Sequence, residues 1–123
     1  MMNKLWRYRY KTPPPTLLVF YQDTHVAELQ EFAEGGYVFR YLPAFREMNL
    51  SPFPGLSPDK GDILFSELPA FFQERLPDMR RPEIRELVQQ SGIPETDKLR
   101  LLAQLGSFAI TDPFEFRLKA ATA

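Results

Sequence analysis

At 123 residues, 44% of them hydrophobic and 25% charged, the chain has the length and balance of one ordinary globular domain, with no composition that would make it disordered or fibrous. No apolar run approaches the roughly 18 residues of a membrane span, and the absence of cysteine excludes disulfides, thiol nucleophiles and sulfur-based zinc sites. A net charge of -1 argues against a protein built to cover nucleic acid, but the charge is uneven: Lys4, Arg7, Arg9 and Lys11 meet no acid in the first 15 residues, leaving 11 basic against 16 acidic residues beyond them.

The amino terminus, Met1 to Trp6, lacks the apolar centre and small-residue cleavage site of a secretory signal, so a cytoplasmic location is expected. Residues 4 to 11 alternate Trp6, Tyr8 and Tyr10 with Arg7, Arg9 and Lys11, the period-2 pattern of a half-buried strand. That pattern suits a structural strand or a partner-docking arm, with a disordered head as the alternative. Its second use is single-stranded nucleic acid, gripped by aromatic stacking and phosphate contacts. Pro13, Pro14 and Pro15 remove three backbone donors and form a stiff spacer. The division expected is an arm and spacer over 1–15 and a folded domain over 16–123.

Leu17 to Tyr21 is β-branched and aromatic, and Gln22-Asp23-Thr24 supplies turn chemistry before His25 to Leu29, a hairpin pattern. A helix from Thr24 to Ala33 competes, because Val26, Leu29 and Ala33 fall at helical spacing. Gly35-Gly36 marks a turn into a third strand, Tyr37 to Tyr41. From Leu42 to Asp62, repeated proline and glycine predict loop. Ile63 to Phe65 reads as a short strand. Ser66 can then cap a helix through Arg75, with Pro69 in its first turn and Pro77 as its stop. A further helix runs from Pro82, with Ile84, Leu87 and Val88 on one face, to Gly92 as a left-handed end. The next follows a Thr96 cap, with Leu99, Leu102, Ala103 and Leu105 inward and Gly106 closing it. Phe108 to Ile110 and Phe114 to Leu118 read as closing strands.

The chemistry of an enzyme is hard to assemble from these residues. There is no glycine-rich phosphate loop, no catalytic-loop aspartate followed by a metal-binding asparagine, and no Asp-Phe-Gly, so the sequence is not that of a kinase. Ser57 and Lys60 match Ser-x-x-Lys, but Pro58 and Gly61 make the segment a turn rather than the helical face that chemistry needs. His25, the one histidine, has only Asp23 and Glu28 near it in sequence to complete a metal set and reads as a hairpin residue. Glu28, Glu31 and Glu34 are spaced like a solvated face. No catalytic residue, metal or cofactor is expected.

Several segments together resemble the small amino-terminal subdomain of the HipA family of serine/threonine kinase toxins. They are Val26-Ala27-Glu28-Leu29, Tyr37 to Tyr41, Leu50 to Leu56, Phe71-Phe72-Gln73-Glu74-Arg75-Leu76-Pro77-Asp78, and Leu101 to Gly106. In the family the fourth segment is typically two aromatics, two variable residues, Leu-Leu-Pro and an acid; here Arg75 stands at the first leucine. The resemblance covers about Leu17 to Leu118. The head through Pro15 lies outside it, and Ser107 to Thr111 departs from the family's usual Gly-Ala-containing strand.

The resemblance implies strand at Thr24, and an α+β fold: a small antiparallel, barrel-like sheet with about three packed helices. Without a kinase core, the chain is similar to the HipS antitoxins of tripartite HipBST systems, where the kinase toxin HipT is a separate chain. That similarity implies a non-catalytic partner that binds and inhibits a HipT-like kinase, alongside a HipB-like DNA-binding protein. The alternatives are a single-stranded nucleic-acid-binding barrel using the arm, and an amino-terminal piece of a HipA-like kinase.

The expected partner surface lies at the end of the helix that begins near Ser66. Adjacent Phe71 and Phe72 lie about 100° apart on a helix and cannot both reach the core at full depth. Phe71 is assigned to the core. Phe72, Arg75, Leu76, Pro77, Asp78, Met79, Arg80 and Arg81 are assigned to the interface, as apolar anchors beside charges.

Overall fold

The computed structural model describes residues 15–106 and 113–119. The expected strands at residues 4 to 11 and at Phe108 to Ile110 lie outside them.

Strands β1 (Thr16–Tyr21) and β2 (Thr24–Glu31) form the predicted hairpin. Gln22 (φ 48) and Asp23 (φ 66) both take left-handed conformations, the type I′ turn whose twist matches the strands. Strand β3 (Tyr37–Tyr41) follows and pairs antiparallel with β2. The helix competing over Thr24 to Ala33 is therefore absent, and with it the shared face of Glu28, Glu31 and Glu34. In a strand, residues three apart point to opposite sides. Between Val19 and Phe20 the register slips, so that Val19 faces Ala27 and Phe20 faces His25, leaving Val26 as the extra residue of a bulge. Its carbonyl accepts a hydrogen bond from the Leu42 N–H at 2.8 Å.

The Leu42–Asp62 stretch is more ordered than a loop. It contains helix α1 (Pro43–Glu47) and a 3₁₀ turn over Pro58–Lys60. Pro43 stands at the start of α1, where its fixed φ and missing donor cost nothing, so a residue read as a breaker is an initiator. Phe45 anchors the helix in the core at 2% exposure. The Tyr41 hydroxyl donates to the Leu56 carbonyl at 2.6 Å and accepts from the Phe53 N–H at 2.9 Å, tying the following segment down. Burial pushes the Tyr41 pKa to about 12.

Strand β4 (Ile63–Phe65) pairs with β3, and β5 (Phe114–Leu118) pairs with β1. The five-stranded antiparallel sheet runs β4-β3-β2-β1-β5 and remains open at both edges. With its helices it makes the expected α+β fold. Helix α2 is short, Ala70–Gln73, and starts from Pro69 rather than Ser66. Pro69 holds an extended ψ of 150°, and a proline also disfavours helical conformation in the residue before it. Beyond Gln73 the chain tightens into three-residue hydrogen bonds from Arg75 to Phe72 and from Leu76 to Gln73.

Helix α3 (Pro82–Ser91) ends as expected at left-handed Gly92, φ 74. Helix α4 (Lys98–Leu105) is capped at Asp97, one residue after the expected Thr96, and Asp97 binds Arg100 at 2.7 Å instead of the helix backbone. Leu99, Leu101 and Leu102 are buried there, while Ala103 and Leu105 are half-buried. Helix α4 packs on β5 and β1. Between sheet and helices lies one core containing Leu17, Val19, Leu29, Phe39, Phe72 and Phe116.

Candidate partner interface

The segment from Phe71 to Arg81 divides differently from the sequence expectation. Phe72 is fully buried, its ring 5.9 Å from Phe39 and 5.5 Å from Phe116. Phe71 is the half-buried one, stacked flat on Phe53 at 4.1 Å. Phe72 is therefore a core residue here and not a surface anchor. Both aromatics reach the core because Phe53, carried over by the Tyr41 hydroxyl, supplies a second wall for Phe71.

Arg75 is the second correction. It is 5% exposed, and its guanidinium lies 4.2 Å over the Phe116 ring. Nε and Nη2 donate to the Gly106 carbonyl at 3.2 and 3.1 Å, and Nη2 donates to the Phe114 carbonyl at 2.7 Å. The positive charge thus sits at the carboxyl end of α4, where unsatisfied carbonyls favour a cation. From sequence, an arginine after Gln73-Glu74 reads as surface, because arginine is almost never fully buried without such partners.

The remaining assigned residues do lie at the surface. Leu76, Pro77 and Met79 are half-buried, and Asp78, Arg80 and Arg81 are exposed. Asp78 accepts from both the backbone N–H and the guanidinium of Arg80 at 3.1 and 3.0 Å, which holds its carboxyl below the usual range. Arg81 binds Glu83 at 2.7 Å, and Arg85 reaches the Met79 carbonyl at 3.3 Å. The segment is thus held by its own charges ahead of α3.

Leu76 and Pro77 form one wall of a groove of about 610 Å³; Ile84 and Leu87 of α3 and Leu105 of α4 supply most of the rest. Leu87 is half exposed, at 50%. Sequence reading grouped Leu87 with Ile84 and Val88 on one inward face. Only Val88 is enclosed, at 2%, which leaves one flank of that apolar face uncovered. The i, i+3, i+4 spacing is that of an ordinary core-facing stripe, so the sequence carried no signal that Leu87 would stay open.

The other sequence candidates fall on the opposite side of the sheet or on turns. His25 stacks on Phe20 at 5.2 Å with Nε2 at 3.5 Å from Glu28, and Arg40 joins Glu28 to Asp62 at 3.5 and 3.2 Å. The Ser57 hydroxyl accepts from the Asp59 N–H and caps the 3₁₀ turn. Glu31 is half-buried, and desolvation, then the nearby Asp97 carboxylate, raises its pKa. Among the described residues no group of three or more histidine, aspartate or glutamate side chains is placed to hold a metal, and no helix is long and apolar enough to cross a membrane.

An open antiparallel sheet backed by short helices, with an apolar groove that none of the described residues covers, makes an α+β module. The family model described as HipA N-terminal domain matches residues 17–110, and the chain belongs to that family. The matched domain is the amino-terminal part of HipA and not its kinase catalytic domain. Comparison with curated proteins finds no match.

Proposed function

We propose that this protein is a HipS-like antitoxin, a non-catalytic module that binds a separate HipT-like serine/threonine kinase and blocks its activity, with a HipB-like DNA-binding protein as a further member of the complex. The observation that supports the reading is the groove of Leu76, Pro77, Ile84, Leu87 and Leu105, which none of the described residues covers, in a domain of the HipA N-terminal family. Apolar anchors that lose water on contact dominate interface energy, and the rim charges of Asp78, Arg80 and Arg81 set orientation. The interface assigned in this reading keeps Leu76, Pro77, Asp78, Met79, Arg80 and Arg81 and gains Ile84, Leu87 and Leu105.

The mechanism is occlusion: a preformed surface covers the kinase cleft or holds its lobes apart, and no bond is made or broken. The test is phosphorylation by a HipT-like kinase with the protein in molar excess. Phosphorylation falls to background if the reading holds. Undiminished phosphorylation under conditions of saturating protein removes inhibition as the function.

A further inference from the structure

The free edge of β4 is a second docking surface, apart from the groove. Phe32 donates to the Gly36 carbonyl at 2.9 Å and closes the β2–β3 hairpin. Antiparallel bonding alternates, so Gly36, Val38 and Arg40 bond toward β2 while Tyr37 and Phe39 face β4. In the observed register Tyr37 pairs with Phe65 and Phe39 with Ile63, which turns the Leu64 N–H and C=O away from the sheet, off its edge.

The edge is short, three residues, and none of the described residues covers it. The Leu64 side chain is 72% exposed, and Phe32 beside it is 38% exposed. Exposed apolar edges are strand-pairing sites unless charge or cover prevents it. The charge here is one-sided: Glu34 lines the same hollow as Leu64 and Phe65, Glu67 follows two residues later, and both are exposed without an ion pair among the described residues.

The sequence holds a segment complementary on every count. Lys4 to Lys11 is basic, has no acid, and alternates aromatic with cationic residues at strand period. We propose that this segment of a second copy adds to the β4 edge as a sixth strand, its aromatic side beside Leu64 and its cations meeting Glu34 and Glu67. Reach decides between the chain's own edge and its neighbour's. Thr16, Gln30, Val38 and Leu64 lie in one row across the sheet, so a strand outside β4 is four spacings, about 19 Å, from Thr16. Five residues from Lys11 to Thr16 span at most about 18 Å, and three prolines hold them nearer about 16 Å. Pairing of the whole segment is therefore in trans, and two copies exchanging arms satisfy each other in a closed dimer.

The test is analytical ultracentrifugation of the full chain with charge reversals, those at Glu34 and Glu67 falling on exposed residues outside the core and the groove. The wild-type chain sediments as a dimer at about 100 µM. Arg7→Glu with Arg9→Glu, and separately Glu34→Arg with Glu67→Arg, each weaken the dimer by about tenfold or more. The four changes together restore it to within about threefold of wild type, a coupling that independent sites do not show. A wild-type monomer at that concentration overturns the proposal, including one whose arm retains a single-stranded oligonucleotide. So does a dimer indifferent to the two reversals, or one that the combination fails to rescue.

Discussion

Arg75 shows how a single side chain can change its meaning between sequence and structure. Its charge is spent inside the molecule, on the Gly106 and Phe114 carbonyls and the Phe116 ring, so it closes the two ends of the connection between α4 and β5. Arg75→Ala removes the guanidinium that donates to the buried Gly106 carbonyl and leaves a void beside Phe116. It costs about 2–4 kcal/mol in urea denaturation. Arg75→Leu, which restores the apolar residue the HipA pattern has at this place, refills the volume and costs less. A loss under about 0.5 kcal/mol for Arg75→Ala would mark a surface residue and contradict the assignment. Glu31 gives a prediction whose sign depends on pH. Its folded pKa is raised, so its favourable contribution is present while it is protonated and is lost as pH rises through that pKa. Glu31→Gln is therefore more stable than wild type near pH 7, and its advantage shrinks toward pH 4, as thermal melts at the two pH values will read. An advantage that grows on acidification would refute the burial argument.

At the scale of elements, the strands were legible because alternation and turn residues agreed: Leu17 to Tyr21, Tyr37 to Tyr41, Ile63 to Phe65 and Phe114 to Leu118 all appear with the expected spans. Helix α3 was equally legible, from Pro82 at its start and Gly92 at its end. What sequence could not show was which prolines begin helices and which break them. Pro43 is the first residue of α1, whereas Pro69 stands just before α2 as its N-cap, and each short helix buries one aromatic, Phe45 and Phe72. The groove was half legible, since Leu76 and Pro77 were assigned to a surface but Leu87 was assigned inward. No local pattern records how much of α3 the neighbouring helix will cover. The β1–β2 turn carries its own prediction. Gln22 occupies a left-handed conformation that strains a residue with a β-carbon, so Gln22→Gly stabilises the fold by about 0.5–1 kcal/mol. Chemical denaturation checks this; a destabilised variant would mean that the turn is not type I′ in solution.

At the scale of the whole molecule, the sheet and core serve as a frame. They fix Leu76 and Pro77 against α3 and α4 and leave an apolar groove facing outward. Among the described residues the outer face of the sheet is laced with ion pairs, Arg40 with Glu28 and Asp62, and Arg117 with Asp23 and Glu115, with Leu64 exposed at its β4 edge. In the proposed function, a partner that needs buried area for affinity binds at the groove, whose walls the folded domain already holds in place. The decisive measurement is a titration of kinase inhibition with the Leu76→Ala, Leu87→Ala double variant against wild type, with urea denaturation of both as the control for folding. Loss of inhibitory potency by about 10- to 100-fold with the cooperative unfolding transition retained is the predicted result. Potency unchanged in the folded double variant would contradict the account, because the surface proposed to meet the kinase would then contribute nothing to meeting it.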